Sequence, residues 1–253
     1  KFYDGETKQL VKYDVYSQKK KLEDEYVAWA RNKPEFANVF TEWPKAYEAW
    51  RPYSKHRVFI NEGILGSSLM AFASTLVQVE NAMVKQGSTS ADIRRAVDAA
   101  DAARTEFLKS FNQPSDRNIL ATVLEMYYNE IDKSQQPIGF FESIKGSYGD
   151  LKDPNTYKKY VSSVFSNTMI LNDAKWKTFT GNPDATVLQA DPAFAAANAF
   201  IKNWQSKYLQ QYQIFTAKNN ELGRLYLKGI RQKDSVKAKM MYPDATFTMR
   251  VSY

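Results

Sequence analysis

The stretch "MYPDATFTMRVSY", residues 241–253, reads differently from everything before it. From Ala245 onward apolar and polar residues alternate, with Phe247, Met249 and Val251 on one face and Thr248, Arg250 and Ser252 on the other. A period of two carried by β-branched and aromatic residues predicts a strand. No turn and no second strand pattern accompany it, and a single strand leaves its backbone donors and acceptors unpaired. Almost everything upstream reads as helix. The expected fold class is therefore all-α: a multi-helix domain over residues 1–244, followed by one strand, 245–253, whose partners are not evident elsewhere in the chain.

The 253 residues suffice for one large or two small domains with a sizeable core. At 43% hydrophobic and 14% aromatic residues the chain has the composition of a globular protein. It contains no cysteine, which excludes disulfides, thiolate nucleophiles and cysteine-bound zinc. "KFYDGETKQL" at the start has no apolar run of the kind a signal peptide needs. The seventeen uncharged residues "GILGSSLMAFASTLVQV", 63–79, lie at the low edge of a membrane-spanning length. They include Ser67, Ser68, Ser74, Thr75 and Gln78, and their apolar positions have helical spacing, so the expectation is a buried core helix of a soluble domain and no membrane span.

The apolar periodicity predicts about seven helices. One covers 5–31, with Leu10, Tyr13, Leu22, Tyr26 and Trp29 inward, and stops before Pro34. A short one covers 44–50 and a long one 57–86, ended by Gly87. Ser90 is the expected cap of a helix to Phe111, and Ser115 that of the next, whose inward face is Ile119, Leu120, Val123, Leu124, Tyr127 and Tyr128. Asp153-Pro154 and Asp191-Pro192 have the cap-then-proline signature of helix starts. The second opens a run to about Ile230, which as one helix would be about 57 Å long, so Gly223 or Gly229 is expected to kink or end it. Residues 137–150 and 167–190 read as irregular, and no internal repeat is visible.

The catalytic inventory is thin. The single histidine, His56, stands between Lys55 and Arg57, where positive neighbours oppose protonation; it reads as a surface residue and a poor general base. A histidine-rich metal site is impossible. There is no Gly-x-Ser-x-Gly, no P-loop and no dinucleotide fingerprint, and "GSS" at 66–68 falls inside a predicted apolar helix. Glu23-Asp24-Glu25 follows Lys19-Lys20-Lys21 at helical spacing, which predicts a solvated, salt-bridged face. Catalytic residues, metal ligands and cofactors are all expected to be none, and no substrate-binding residue is assigned. The net charge of +7 is local: from Ile201 to the end there are ten Lys/Arg and three acids, so the rest of the chain is neutral. This basic stretch, 202–239, lacks any nucleic-acid-binding motif; a solvated face or contact with an acidic neighbouring domain is the simpler expectation.

Several blocks carry a resemblance. "YPDATFTMRVSY", 242–253, is similar to the segment before the catalytic serine in the bacterial serine dipeptidyl-peptidase 7 and 11 family, serine peptidase family 46. It matches that pattern at Pro243, Asp244, Ala245, Thr248 and Arg250, with Thr246 where the family has Asn. "RTEFLKSFNQPSDRNILATVLEMY", 104–127, resembles a family block through Phe107, Phe111, Pro114, Asp116 and Arg117. "KKKLEDEYVAWARNKPEF", 19–36, and "DPAFAAANAF", 191–200, resemble two further family helices, and the blocks follow the family order.

The resemblance implies a chymotrypsin-like double β-barrel peptidase into which a large helical domain is inserted, with residues 245–253 as the first returning barrel strand. It implies a periplasmic or cell-surface enzyme that releases dipeptides from free peptide N-termini, with the barrels of the same polypeptide as the helical domain's partner; it is also compatible with a homodimeric parent. The family's catalytic His and Asp lie upstream of this region and its serine downstream, its substrate-anchoring Asn falls just before Lys1, and His56 matches no catalytic position. The chain is thus expected to be inactive alone and to act as a substrate-gating cap. The alternative is a stand-alone helical binding or scaffold module with a basic C-terminal face.

Overall fold

In a computed structural model the chain is described over residues 2–239, and over them it is helical with no strand. The strand expected at 245–253 lies outside the described residues. The helices are α1 (Phe2–Lys12), α2 (Val15–Ala30), α3 (Val39–Val58), α4 (Ser68–Thr75), α5 (Val77–Val84), α6 (Ser90–Ser110) and α7 (Gln113–Glu130). They continue with α8 (Phe140–Tyr148), α9 (Pro154–Asn167), α10 (Asp173–Gly181), α11 (Ala185–Ala190), α12 (Pro192–Lys207), α13 (Leu209–Lys233) and α14 (Ser235–Lys239). A π-turn at Phe59–Gly63 and a 3₁₀ turn at Ile64–Gly66 follow α3. No single helix among the described residues is long and apolar enough to cross a membrane; the helical runs Val39–Gly66 and Ser68–Val84 meet at a 98° bend.

Several helices begin or end where the apolar pattern gave no sign. The single helix expected over 5–31 breaks at Asp14, which takes the left-handed conformation (φ 49°, ψ 40°). Asp is one of the few side chains that tolerate this region. Tyr13 and Leu22, expected inward, are exposed, whereas Tyr26 is buried. The expected 44–50 helix is the middle of α3, which runs through both Pro44 and Pro52. Proline removes a backbone donor, but burial of Val39, Trp50 and His56 along this helix offsets that loss. The long helix expected over 57–86 is broken at Ser67 and again at Leu76. The 192–230 run breaks at Tyr208, and Gly223 and Gly229 both sit within α13. The two stretches read as irregular hold α8, α10 and α11.

Two of the four expected caps stand where the sequence puts them. Asp153 and Asp191 accept from the first amides of α9 and α12, with Pro154 and Pro192 opening those helices. The cap of α6 is Thr89, not Ser90, in a reciprocal box with Asp92; that of α7 is Asn112, not Ser115.

Residues 51–210 form one compact unit. α7 packs along α9 and α12 along α4, around a core that includes Leu69, Tyr127, Tyr157, Phe194 and Phe200. Two buried carboxylates fix this core's helix starts. Asp116 of α7 accepts from the Ser67 hydroxyl (3.0 Å) and from the amides of Ser68 (2.7 Å) and Leu69 (3.0 Å), which begin α4. Asp191 accepts from the amides of Ala193, Phe194 and Met169 and from the Thr168 hydroxyl. A buried arginine does similar work: Arg104 donates to the Ile170 carbonyl (2.6 Å) and to Asp173 (2.7 Å), holding the turn that leads into α10.

Residues 2–50, together with 211–239, form the second unit. Its core centres on Tyr26, Ala30, Phe36 and Val39, with Trp29, Phe40, Trp43, Leu225, Tyr226 and Ile230 packed against them. Tyr26 is ringed by Tyr226, Phe40 and Trp29, its centroid 5.1–5.6 Å from theirs. Burial, aided by Tyr226 and Glu35, pushes its hydroxyl up to about 12. The ring lies against the α13 backbone at Gly229, where a Cβ would stand 2.4 Å from the Tyr26 oxygen and 2.6 Å from Cε2. Gly229→Ala is therefore expected to destabilise the unit by roughly 1–3 kcal/mol, although alanine is the better helix former by about 1 kcal/mol. Urea denaturation of the variant checks the sign; a more stable variant would mean that the ring yields.

Candidate functional site

His56 is the chain's one histidine, the side chain suited to proton transfer near neutral pH. The surface position expected for it is wrong: it is fully buried. Successive helical residues are rotated by about 100°, so exposed Lys55 projects away while His56 shares an inward face with Ile60. Its Nε2 lies 2.8 Å from the Tyr127 hydroxyl, and the rings of Tyr208, Trp204 and Tyr127 meet it edge-on at 4.9–5.7 Å. Burial, with a smaller contribution from Lys207, lowers its pKa from 6.5 to about 4. The Tyr127 hydroxyl is pushed strongly upward by burial and by Tyr208. A neutral imidazole paired with a neutral phenol inside an aromatic shell is suited to packing; it has no access to a substrate.

The "GSS" run is not inside a helix as expected. Ser67 sits at the break before α4, is buried, and both caps that helix and donates to Asp116. Both its hydroxyl lone pair and its proton are engaged in structure. On α2, Lys20 pairs with Asp24, and Glu25 pairs with Lys233 at 2.8 Å. In the basic stretch, Lys218 pairs with Glu221, Lys228 with Glu35 and Lys202 with the buried Glu80. These cations are thus balanced within the domain. Among the described residues no group of three or more His, Cys, Asp or Glu converges to hold a metal.

Grooves on the surface of the unit formed by residues 51–210 include the following three. One, between α7 and α9, is lined by Gln113, Pro114, Arg117, Asn118 and Lys158 over a floor of Ala121 and Val161. A second, at the α10–α11 corner, is lined by Met169, Phe179 and Val187 together with Asn167, Lys175 and Asn182. The third runs beside the loop tip at Ile138, which is 90% exposed, and includes Lys202 and Lys207. The sequence pointed to Arg117 only through the block containing Pro114 and Asp116; Lys158, 41 positions further on, had no signal that could have joined it to that block.

Known proteins share this sequence and fold. The model of the family Peptidase S46 matches residues 1–253. The Asp/Glu-specific dipeptidyl-peptidase of Flavobacterium psychrophilum is 23% identical over 256 residues, covering 98% of this chain and 34% of that protein. Dipeptidyl-peptidase 7 of Capnocytophaga gingivalis is 25% identical over 246 residues, covering 93% of this chain and 31% of its own. The crystal structure of Porphyromonas endodontalis DPP11 in complex with the dipeptide Arg-Glu superposes with a TM-score of 0.62 at 19% identity, over 89% of this chain and 31% of that one. That likeness establishes the helical fold, and the chain spans about a third of the length of the relatives it matches. With the family model matched from end to end, this chain belongs to the Peptidase S46 family.

Proposed function

We propose that this chain is the helical domain of a serine-type dipeptidyl aminopeptidase, and that it caps the cleft of the peptidase barrels. It closes over a peptide with a free N-terminus and excludes longer extensions beyond that terminus. The parent enzyme releases dipeptides in the periplasm or at the cell surface, and its catalytic triad lies in the part of the polypeptide this chain does not span. The observation that carries this reading is the full-length match to the peptidase family by a chain covering 31–34% of its curated relatives. The all-helical build of residues 2–239 supports it, since the chymotrypsin-like machinery implied by the resemblance is made of strands. A rigid cap that opens and closes on two connections is a common way to sequester substrate.

The isolated chain is expected to show no turnover of fluorogenic dipeptidyl substrates, whereas the full-length protein cleaves them. Turnover by the isolated chain that disappears in His56→Ala would overturn the reading. A full-length protein that cleaves N-terminally blocked peptides as fast as free ones would remove the excluding role.

A further inference from the structure

We infer that the groove between α7 and α9 is an oxyanion-binding subsite that takes a carboxylate or phosphate group between Arg117 and Lys158. Its lining holds two cations and two amides, Gln113 and Asn118, with no carboxylate. A groove of about 500 Å³ with two cations and no carboxylate in its lining has the charge to hold an anionic group and room for the molecule that carries it.

Three features set it apart from an ordinary solvated basic face. The acid next to Arg117 in sequence is Asp116, whose oxygens are turned inward and occupied by Ser67, Ser68 and Leu69. The next acid on α7, Glu125, is about 12 Å further along the helix at 1.5 Å per residue. α9, "PNTYKKYVSSVFSN", carries no acid at all, and Asp153 before it is engaged in capping. Lys202, Lys218, Lys228 and Lys233, by contrast, each pair with a carboxylate.

The guanidinium is also held in place. Arg117 is half-buried, and its Nη2 donates to the Ser162 hydroxyl at 2.7 Å, across to α9. One donor of the fork is thus spent on positioning, and the others are left to grip an oxyanion, the geometry for which arginine is suited. Lys158 supplies a mobile point charge on the facing helix. The Gln113 and Asn118 amides add neutral donors, and Gln113 lies in the first turn of α7, where the helix dipole favours negative charge.

The test is a titration of the 253-residue chain, followed by amide NMR shifts, with inorganic phosphate and with acetate at constant low ionic strength. Sodium chloride serves as the blank. Saturable shifts confined to the first turns of α7 and to α9 around Lys158 are expected. Arg117→Gln should weaken the apparent affinity at least tenfold and Lys158→Gln severalfold. Tighter phosphate binding would assign a tetrahedral dianion, tighter acetate binding a carboxylate, and either supports the subsite. Should Arg117→Gln lose its fold with the Ser162 bond, the exposed Lys158→Gln decides by itself. Shifts that never saturate, that chloride reproduces, or that persist unchanged in Lys158→Gln would overturn the inference.

Discussion

Asp191→Ala is expected to lower the unfolding free energy by about 3–5 kcal/mol, the largest effect of any single polar substitution proposed for this chain. Its Oδ1 accepts from the amides of Ala193 (3.0 Å) and Phe194 (3.1 Å), the start of α12. Its Oδ2 accepts from the Met169 amide at 2.7 Å, and the Thr168 hydroxyl reaches both oxygens. Truncation strands these donors in the interior. Loss of a helix cap alone costs about 1 kcal/mol, and each buried donor left without a partner adds roughly 1–3 kcal/mol, less whatever water can recover. Asp191→Asn keeps one acceptor for the cap but turns its amide NH2, a donor, toward the donating Met169 N–H, so it should fall between wild type and alanine. Chemical denaturation of the three proteins gives the order. Equal stability of Asn and Ala variants would mean that the cap, and not the Met169 segment, is unimportant to the energy.

The second large effect is a dependence of stability on pH traced to His56. The group is neutral in the fold, with a pKa depressed from 6.5 to about 4. Between these values the unfolded chain binds a proton that the folded chain refuses, so stability falls as pH is lowered. The contribution is complete above about pH 6.5, declines through the interval, and is exhausted below about pH 4. Its size over the whole interval is on the order of 3 kcal/mol. The groups that face the ring are Tyr127 and Tyr208, with Lys207 as the nearby charge, and none of them compensates an imidazolium. His56→Gln removes the titration while keeping a polar group within reach of Tyr127. Its stability relative to wild type should improve steadily as the solution is acidified from pH 7 to 4.5. A constant difference across that range would show that the buried ring protonates without cost.

These residues also mark what could and could not be read from the chain alone. The starts of α9 and α12 were legible, because Asp-Pro carries its capping chemistry within two neighbouring positions. The all-helical character followed from apolar spacing over long windows. The breaks at Asp14 and Tyr208 did not, since neither involves glycine or proline. The burial of His56 is not visible in its immediate sequence neighbours; it follows from the helix face it shares with Ile60, four residues on, and not with Lys55. The stitching of α4 by Asp116 was out of reach, because the acceptor lies 47–49 positions from its donors. The α7–α9 groove was hidden for the same reason.

The Asp116 contacts bear on how the domain breathes. Amides in the first turn of a helix have no carbonyl partner within it and ordinarily exchange their hydrogens with solvent fastest. Here the amides of Ser68 and Leu69 are bonded to a carboxylate carried by a different helix. Their hydrogens can be replaced only when α7 separates from the start of α4, so fraying of α4 alone does not release them. Two positions at a helix end thereby report on the separation of α7 from the start of α4, an event that the middle of neither helix would distinguish from local loosening.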